Sequence, residues 1–127
     1  MEYKKFDLKK FFKSFNYAVR GVVYLLKSEQ NARVHAIITI FVGAAAYVFD
    51  VTRLEAAILF MAVILVFAVE IINTAIEKVF DVCYPGKHEV IRSVKDAMAG
   101  AVLISAIIAV VVAMLVFLPY IKRLFLA

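Results

Sequence analysis

"AAILFMAVILVFAVEIINTAIEKVFD", residues 56–81, begins as a run that belongs in lipid and ends as an acidic stretch. Nothing before Pro85-Gly86 breaks a helix, so the apolar run from Ala56 to Val69 is expected to continue as one helix through Glu70 to about Asp81. Glu70, Asn73, Glu77 and Asp81 follow one another at steps of three, four and four. At about 100° per residue they line a single helical stripe, with Thr74 at its border. A carboxylate inside a membrane helix costs roughly 3 kcal/mol or more unless it is paired, solvated or metal-bound, which makes Glu70 a functional candidate. The plainer reading of Glu77 and Asp81 is that they are solvated residues beyond the membrane edge. Acidic stripes of this kind suit three tasks: holding a divalent cation, relaying protons, or general-base catalysis.

Composition places the rest of the chain in the same solvent. Of 127 residues, 65% are hydrophobic, and mean hydropathy is +0.93; a soluble domain is about 45–50% apolar. The formal charge of +5 is carried by Lys and Arg beside apolar runs, which points to anionic headgroups or phosphorylated ligands rather than nucleic acid. Cys83 is the single cysteine, so an intrachain disulfide and a cysteine metal cluster are both excluded.

The expected fold is an all-α membrane protein: one domain over residues 1–127, with an amphipathic surface helix region at 1–33 and membrane helices at about 34–50, 54–82 and 95–121. In the first region Phe11, Phe15, Ala18, Val22 and Leu25 recur at helical spacing opposite Lys10, Lys13 and Lys27, the pattern of a helix lying in the membrane interface. No signal-peptide pattern opens the chain, so no cleaved leader is expected. "DVTRLE" (50–55) reads as a turn, and neither it nor the terminal "KRLFLA" (122–127) has a readable role beyond anchoring. Lys and Arg concentrate in the N-terminal region and in the 78–95 connection, which puts both in the cytoplasm; Lys122 and Arg123 count mildly the other way.

Two further segments bear on the acidic stripe. "SVKDAMAGA" (93–101) sets Lys95 and Asp96 at the expected start of the last membrane helix, where an ammonium and free backbone N–H groups would together suit a phosphate. Their bland readings are interfacial snorkelling for Lys95 and a dipole partner for Asp96; Ala97, Gly100 and Ala101 read as close helix packing. "SEQNARVH" (28–35) offers Glu29 as a second carboxylate for a metal shared with Glu77, since Mg²⁺ takes one or two carboxylates together with substrate phosphates. Asn31, Arg33 and His35 read as interface groups. No G-x-x-x-x-G-K-[ST] occurs, which excludes a P-loop or protein-kinase architecture. A small oligomeric cation channel or transporter would also align Glu70 and Glu77. It would want polar groups continuing across the span, whereas here they form a one-sided cap.

"EIINTAIEKVFD" (70–81), followed by "KHEVIRSVKDAMAGAVL" (87–103), closely resembles the bacterial diacylglycerol kinase family of small integral membrane lipid kinases, and the likeness runs from "FNYAVRGV" (15–22) through the last span. Glu29 with "NAR-x-H" resembles the undecaprenol kinase branch more than the diacylglycerol kinase branch. The resemblance implies a multi-pass protein of the bacterial plasma membrane, a homotrimer with active sites shared between neighbours on the cytoplasmic side. It implies ATP as phosphoryl donor, Mg²⁺ as cofactor, and undecaprenol, or alternatively diacylglycerol, as acceptor. By matched position it implies Glu70 as general base, Glu29 and Glu77 as Mg²⁺ ligands, and Asn73 orienting the acceptor or metal. Lys95 would neutralise the transferring phosphoryl group and Asp96 contact nucleotide. Lys10, Tyr17, Gly86, Lys87 and His88 fall where the family contacts ATP. Pro85 departs from the loop usual in that family.

Overall fold

The computed structural model describes residues 7–86 and 88–126, which form four helices: α1 (Leu8–Ser28), α2 (Gln30–Val48), α3 (Arg53–Cys83) and α4 (Glu89–Leu126). Lys87 lies outside the described residues. The all-helical class is as expected, and α2, α3 and α4 are each long and apolar enough to cross a membrane.

Asp7 caps α1 by accepting the Lys9 and Lys10 N–H groups at 2.9 and 3.2 Å. Phe11, Phe15, Val19 and Val22 form the exposed apolar side of this helix, with the Phe11 and Phe15 rings 5.4 Å apart. The helix ends because Glu29 takes extended backbone angles, φ −109° and ψ 125°, while its N–H still reaches the Leu25 carbonyl. α2 resumes at once with Gln30, four residues earlier than the apolar pattern implied. The two helices are therefore separated by a single residue, Glu29. The stretch after it winds as helix because Ala32 is fully buried while Asn31 and Arg33 face outward.

α2 closes with two interlocked backbone bonds, Asp50 N–H to the Tyr47 carbonyl and Val51 N–H to the Ala46 carbonyl, both 3.2 Å. This Schellman closure requires a left-handed residue, and Asp50 supplies it at φ 49°. A β-branched residue tolerates that conformation poorly, so Asp50→Val is expected to cost about 1–2 kcal/mol, read as lowered thermal stability in detergent. Asp50→Gly is expected to leave stability unchanged or slightly higher.

Thr52 then caps α3 reciprocally with Glu55: the Glu55 N–H reaches Thr52 Oγ1 at 3.3 Å and the Thr52 N–H reaches Glu55 Oε2 at 2.8 Å. The same carboxylate oxygen accepts the Tyr120 hydroxyl at 2.6 Å from the far end of α4. Phe49 packs near Phe117 and Tyr120, and the Arg123 guanidinium lies 5.9 Å from the Tyr120 ring. The 50–55 turn and the tail of α4, silent in the sequence, thus form one clasp.

α4 starts at Glu89, six residues before the expected boundary, because its first turns are too polar to register as a membrane run. Lys95 is consequently well inside the helix. The free N–H groups invoked beside it belong instead to the first turn, Glu89–Ile91, and the Arg92 N–H is already taken by the His88 carbonyl at 3.0 Å. α3 and α4 form the most extensive pair, with α2 against α3 and α1 packed at the α1–α2 break. The buried stripe of α3 runs Leu59, Ala62, Val66, Glu70, Thr74. A second clasp, between Lys95 on α4 and Asp81 on α3, closes the opposite end of the hairpin. Twenty-six positions separate Glu55 from Asp81 and twenty-five separate Lys95 from Tyr120, so the two clasps define one register. Large apolar residues such as Ile37, Phe41, Ile104, Ile107 and Leu115 stay exposed along the helices, a surface suited to lipid or to further copies of the chain.

Candidate active site

Depth follows from helix rise. At 1.5 Å per residue Glu70 stands ~26 Å along α3 from Arg53, close to the limit of a hydrocarbon layer of about 30 Å, and Asp81 stands ~42 Å along, beyond it. For an upright α3 whose hydrocarbon span begins at Arg53, Glu70 comes near the far lipid edge and Glu77 and Asp81 past it.

Glu70 is 2% exposed, and among the described residues its Oε2 atom has no hydrogen-bond donor; one turn on, the buried Thr74 hydroxyl is likewise without a partner among them. Both continue the buried stripe of α3, so helix packing itself delivers the carboxylate to the interior. Glu29, Glu77 and His35 are all within electrostatic reach of Glu70. Glu29 is brought there by the break between α1 and α2, where its carboxylate stands 3.6 Å from the Lys78 ammonium. Lys78 was not singled out by sequence. Only its place one residue after Glu77 marked it, and its pairing depends on the fold.

A recess of about 250 Å³ holds Asn73, Glu77, Lys95 and Asp96, floored by Ile76, Met98 and Ala99. A wider recess of about 750 Å³ extends over the α3–α4 turn, where Asp81, Gly86, His88 and Arg92 join the same Lys95 and Asp96. Lys95 and Asp96 thus line both recesses. Tyr84 and His88 stand edge to face across the turn, ring centres 6.0 Å apart. Lys10 and Tyr17 line a third recess of about 400 Å³ along α1, with Asp7, Lys9, Lys13 and Ser14, which shares no lining residue with the other two. The structure therefore gathers Asn73, Glu77, Gly86, His88, Lys95 and Asp96, sets Glu29 and Glu70 beside them, and leaves Lys10 and Tyr17 apart within one chain.

Glu29 and Glu77 are hard oxygen donors of the kind magnesium takes, one or two carboxylates together with substrate phosphates. Both are within electrostatic reach of the buried Glu70, while among the described residues no three His, Cys, Asp or Glu side chains converge on one ion, and the Glu29 carboxylate stands 3.6 Å from the Lys78 ammonium.

The sequence profile of the prokaryotic diacylglycerol kinases matches residues 16–117. This chain belongs to that family. It is accordingly a membrane lipid kinase, and ATP is the phosphoryl donor that such a kinase uses. The chain is 34% identical over 113 residues to an undecaprenol kinase of Bacillus subtilis, covering 89% of this chain and 92% of the relative. It is 37% identical over 107 residues to a diacylglycerol kinase of Synechocystis, covering 84% of this chain and 61% of the relative. A diacylglycerol kinase of Escherichia coli is 32% identical over 99 residues, with 78% and 81% covered. The matched span of this family member takes in the α1–α2 break, the acidic stripe and the Lys95-Asp96 pair.

Proposed function

We propose that this lipid kinase phosphorylates undecaprenol to undecaprenyl phosphate at the cytoplasmic face of the bacterial plasma membrane, as a Mg²⁺-dependent homotrimer with active sites shared between neighbours. The observation that carries the reading is the buried carboxylate of Glu70, without a donor among the described residues and near the lipid edge, beside the recess of Asn73, Glu77, Lys95 and Asp96. A lipid alcohol carries its hydroxyl at headgroup depth, which is the depth of Glu70 in an upright α3. Similarity to the undecaprenol kinase over nearly the whole of both chains supports the choice of acceptor.

In this reading the lipid hydroxyl lies against Glu70, held in place by Asn73. As its oxygen forms a bond to the terminal phosphorus of ATP, the bond from that phosphorus to ADP breaks and the hydroxyl proton passes to Glu70. Lys95 neutralises charge on the transferring group. Asp96, Gly86 and His88 contact the nucleotide in the wider recess, Lys87 is assigned to it by matched position alone, and Glu29 and Glu77 would hold Mg²⁺. Held there, Mg²⁺ would supply positive charge against the phosphates. Lys10 and Tyr17 are assigned to nucleotide as well. Their separate recess is one reason to place a neighbouring subunit in the complete site.

Purified protein in lipid nanodiscs, given ATP and Mg²⁺ with either undecaprenol or diacylglycerol, tests both acceptor and class. The expected result is at least a tenfold higher kcat/KM for undecaprenol, loss of turnover with EDTA, and no ion flux in liposomes. A tenfold preference for diacylglycerol would instead support the acceptor named for the Synechocystis relative.

A further inference from the structure

Asp81 is the last residue of the acidic stripe and has no part in the chemistry described so far. Its Oδ1 accepts a hydrogen bond from the Lys95 ammonium across the α3–α4 hairpin. Asp81 lines only the wider recess, whereas Lys95 lines both. Lys95 also lies within electrostatic reach of Glu77, which lines the narrower one. Lys95 is therefore shared by the two recesses, with its ammonium fixed by Asp81. Asp81 is half exposed, and an exposed ion pair adds little to stability. What the pair does is to order a long side chain that would otherwise sample many rotamers.

We propose that Asp81 is a positioning residue: it holds the Lys95 ammonium, shared by the two recesses, in place for the passage of the phosphoryl group from nucleotide to lipid alcohol. Resting on the assignment of Lys95 to that phosphoryl group, the proposal separates two effects. The Asp81 carboxylate is engaged by Lys95 and offers no donor to a polyanionic nucleotide's phosphates. Removing its charge leaves nucleotide binding intact or tighter, and costs only the placement of the ammonium at the moment of transfer. A residue that merely fastened the hairpin would instead alter folding and leave kcat of the folded protein alone.

The test compares Asp81→Asn, Asp81→Glu, Lys95→Met and the Asp81→Asn/Lys95→Met double variant in nanodiscs, with kcat, KM for ATP and melting temperature measured for each. Asp81→Asn is expected to lower kcat at least tenfold, with KM for ATP unchanged or lower and the melting temperature nearly unmoved. Asp81→Glu recovers part of the rate, and in the Lys95→Met background Asp81→Asn changes the residual rate by less than twofold. A wild-type kcat in Asp81→Asn, or a full tenfold further loss on top of Lys95→Met, overturns the proposal while leaving the role of Lys95 intact. Wild-type turnover in Lys95→Met would instead strike at the assignment of Lys95 itself, and the positioning role would fall with it. If Asp81→Asn does not fold, Asp81→Glu decides: a severalfold lower kcat at unchanged KM for ATP supports the role, and a wild-type kcat overturns it.

Discussion

Glu70→Gln is expected to lower kcat by about 10²- to 10⁴-fold, the range that a positioned general base contributes, while the protein keeps its helical content and its assembly. The companion substitution Glu70→Leu is expected to be equally inactive and more stable. Glu70 is buried at 2% exposure with an oxygen that has no donor among the described residues, and leaving a buried polar group unsatisfied costs roughly 1–3 kcal/mol. An apolar side chain of similar size removes that cost, so the melting temperature in detergent should rise as activity is lost. The pairing of the two outcomes is the useful feature. A purely structural glutamate would lose stability when replaced, whereas a carboxylate kept for chemistry gives stability back. Turnover within tenfold of wild type in Glu70→Gln would remove this residue from the base role.

The second large effect concerns the metal. Glu29→Gln and Glu77→Gln are each expected to raise the half-saturating Mg²⁺ concentration at least tenfold and to lower kcat at saturating Mg²⁺. One carboxylate about 4 Å from a unit charge is worth ~4 kcal/mol at an effective dielectric of about 20, and a third of that figure already gives tenfold. Lys78 supplies the opposite sign. Its ammonium stands 3.6 Å from Glu29, so it competes for the same carboxylate, and Lys78→Met is expected to lower the half-saturating Mg²⁺ concentration. Binding of Mn²⁺ followed by electron paramagnetic resonance without ATP reads all three variants independently of turnover. Unchanged Mn²⁺ affinity in both glutamine variants would exclude Glu29 and Glu77 as ligands.

Much of this molecule is written in its periodicities. The apolar run before Glu70 and the absence of a breaker before Pro85 foretell α3 almost to its ends, Arg53 and Cys83. The three-and-four spacing puts Glu70, Asn73 and Glu77 on one side of that helix, and the structure keeps them near one another, Glu70 buried and the other two on a recess wall. Helix ends were less legible where tertiary contacts set them. Glu29 breaks the chain in a segment with neither Pro nor Gly, and α2 begins four residues early because Ala32 packs. α4 begins early because its first turns are polar, and hydropathy is blind to a helix of that kind. The long-range polar pairs were not legible at all. Tyr120 and Glu55 are 65 residues apart, and Lys95 and Asp81 are joined across a hairpin whose register no local pattern reveals.

That register has a mechanical meaning. The Glu55–Tyr120 and Asp81–Lys95 pairs tie α3 to α4 at two points ~38 Å apart along the helices. Sliding one helix past the other by a single turn would break both ties at once. A bilayer thicker or thinner than the apolar length is then met more cheaply by tilting α3 and α4 together, with their buried stripe kept in register, than by shear between them. Tilt changes the height of Glu70 and Lys95 together and preserves the distance between them. The hairpin thus acts as a ruler, carrying its own calibration into membranes of different thickness.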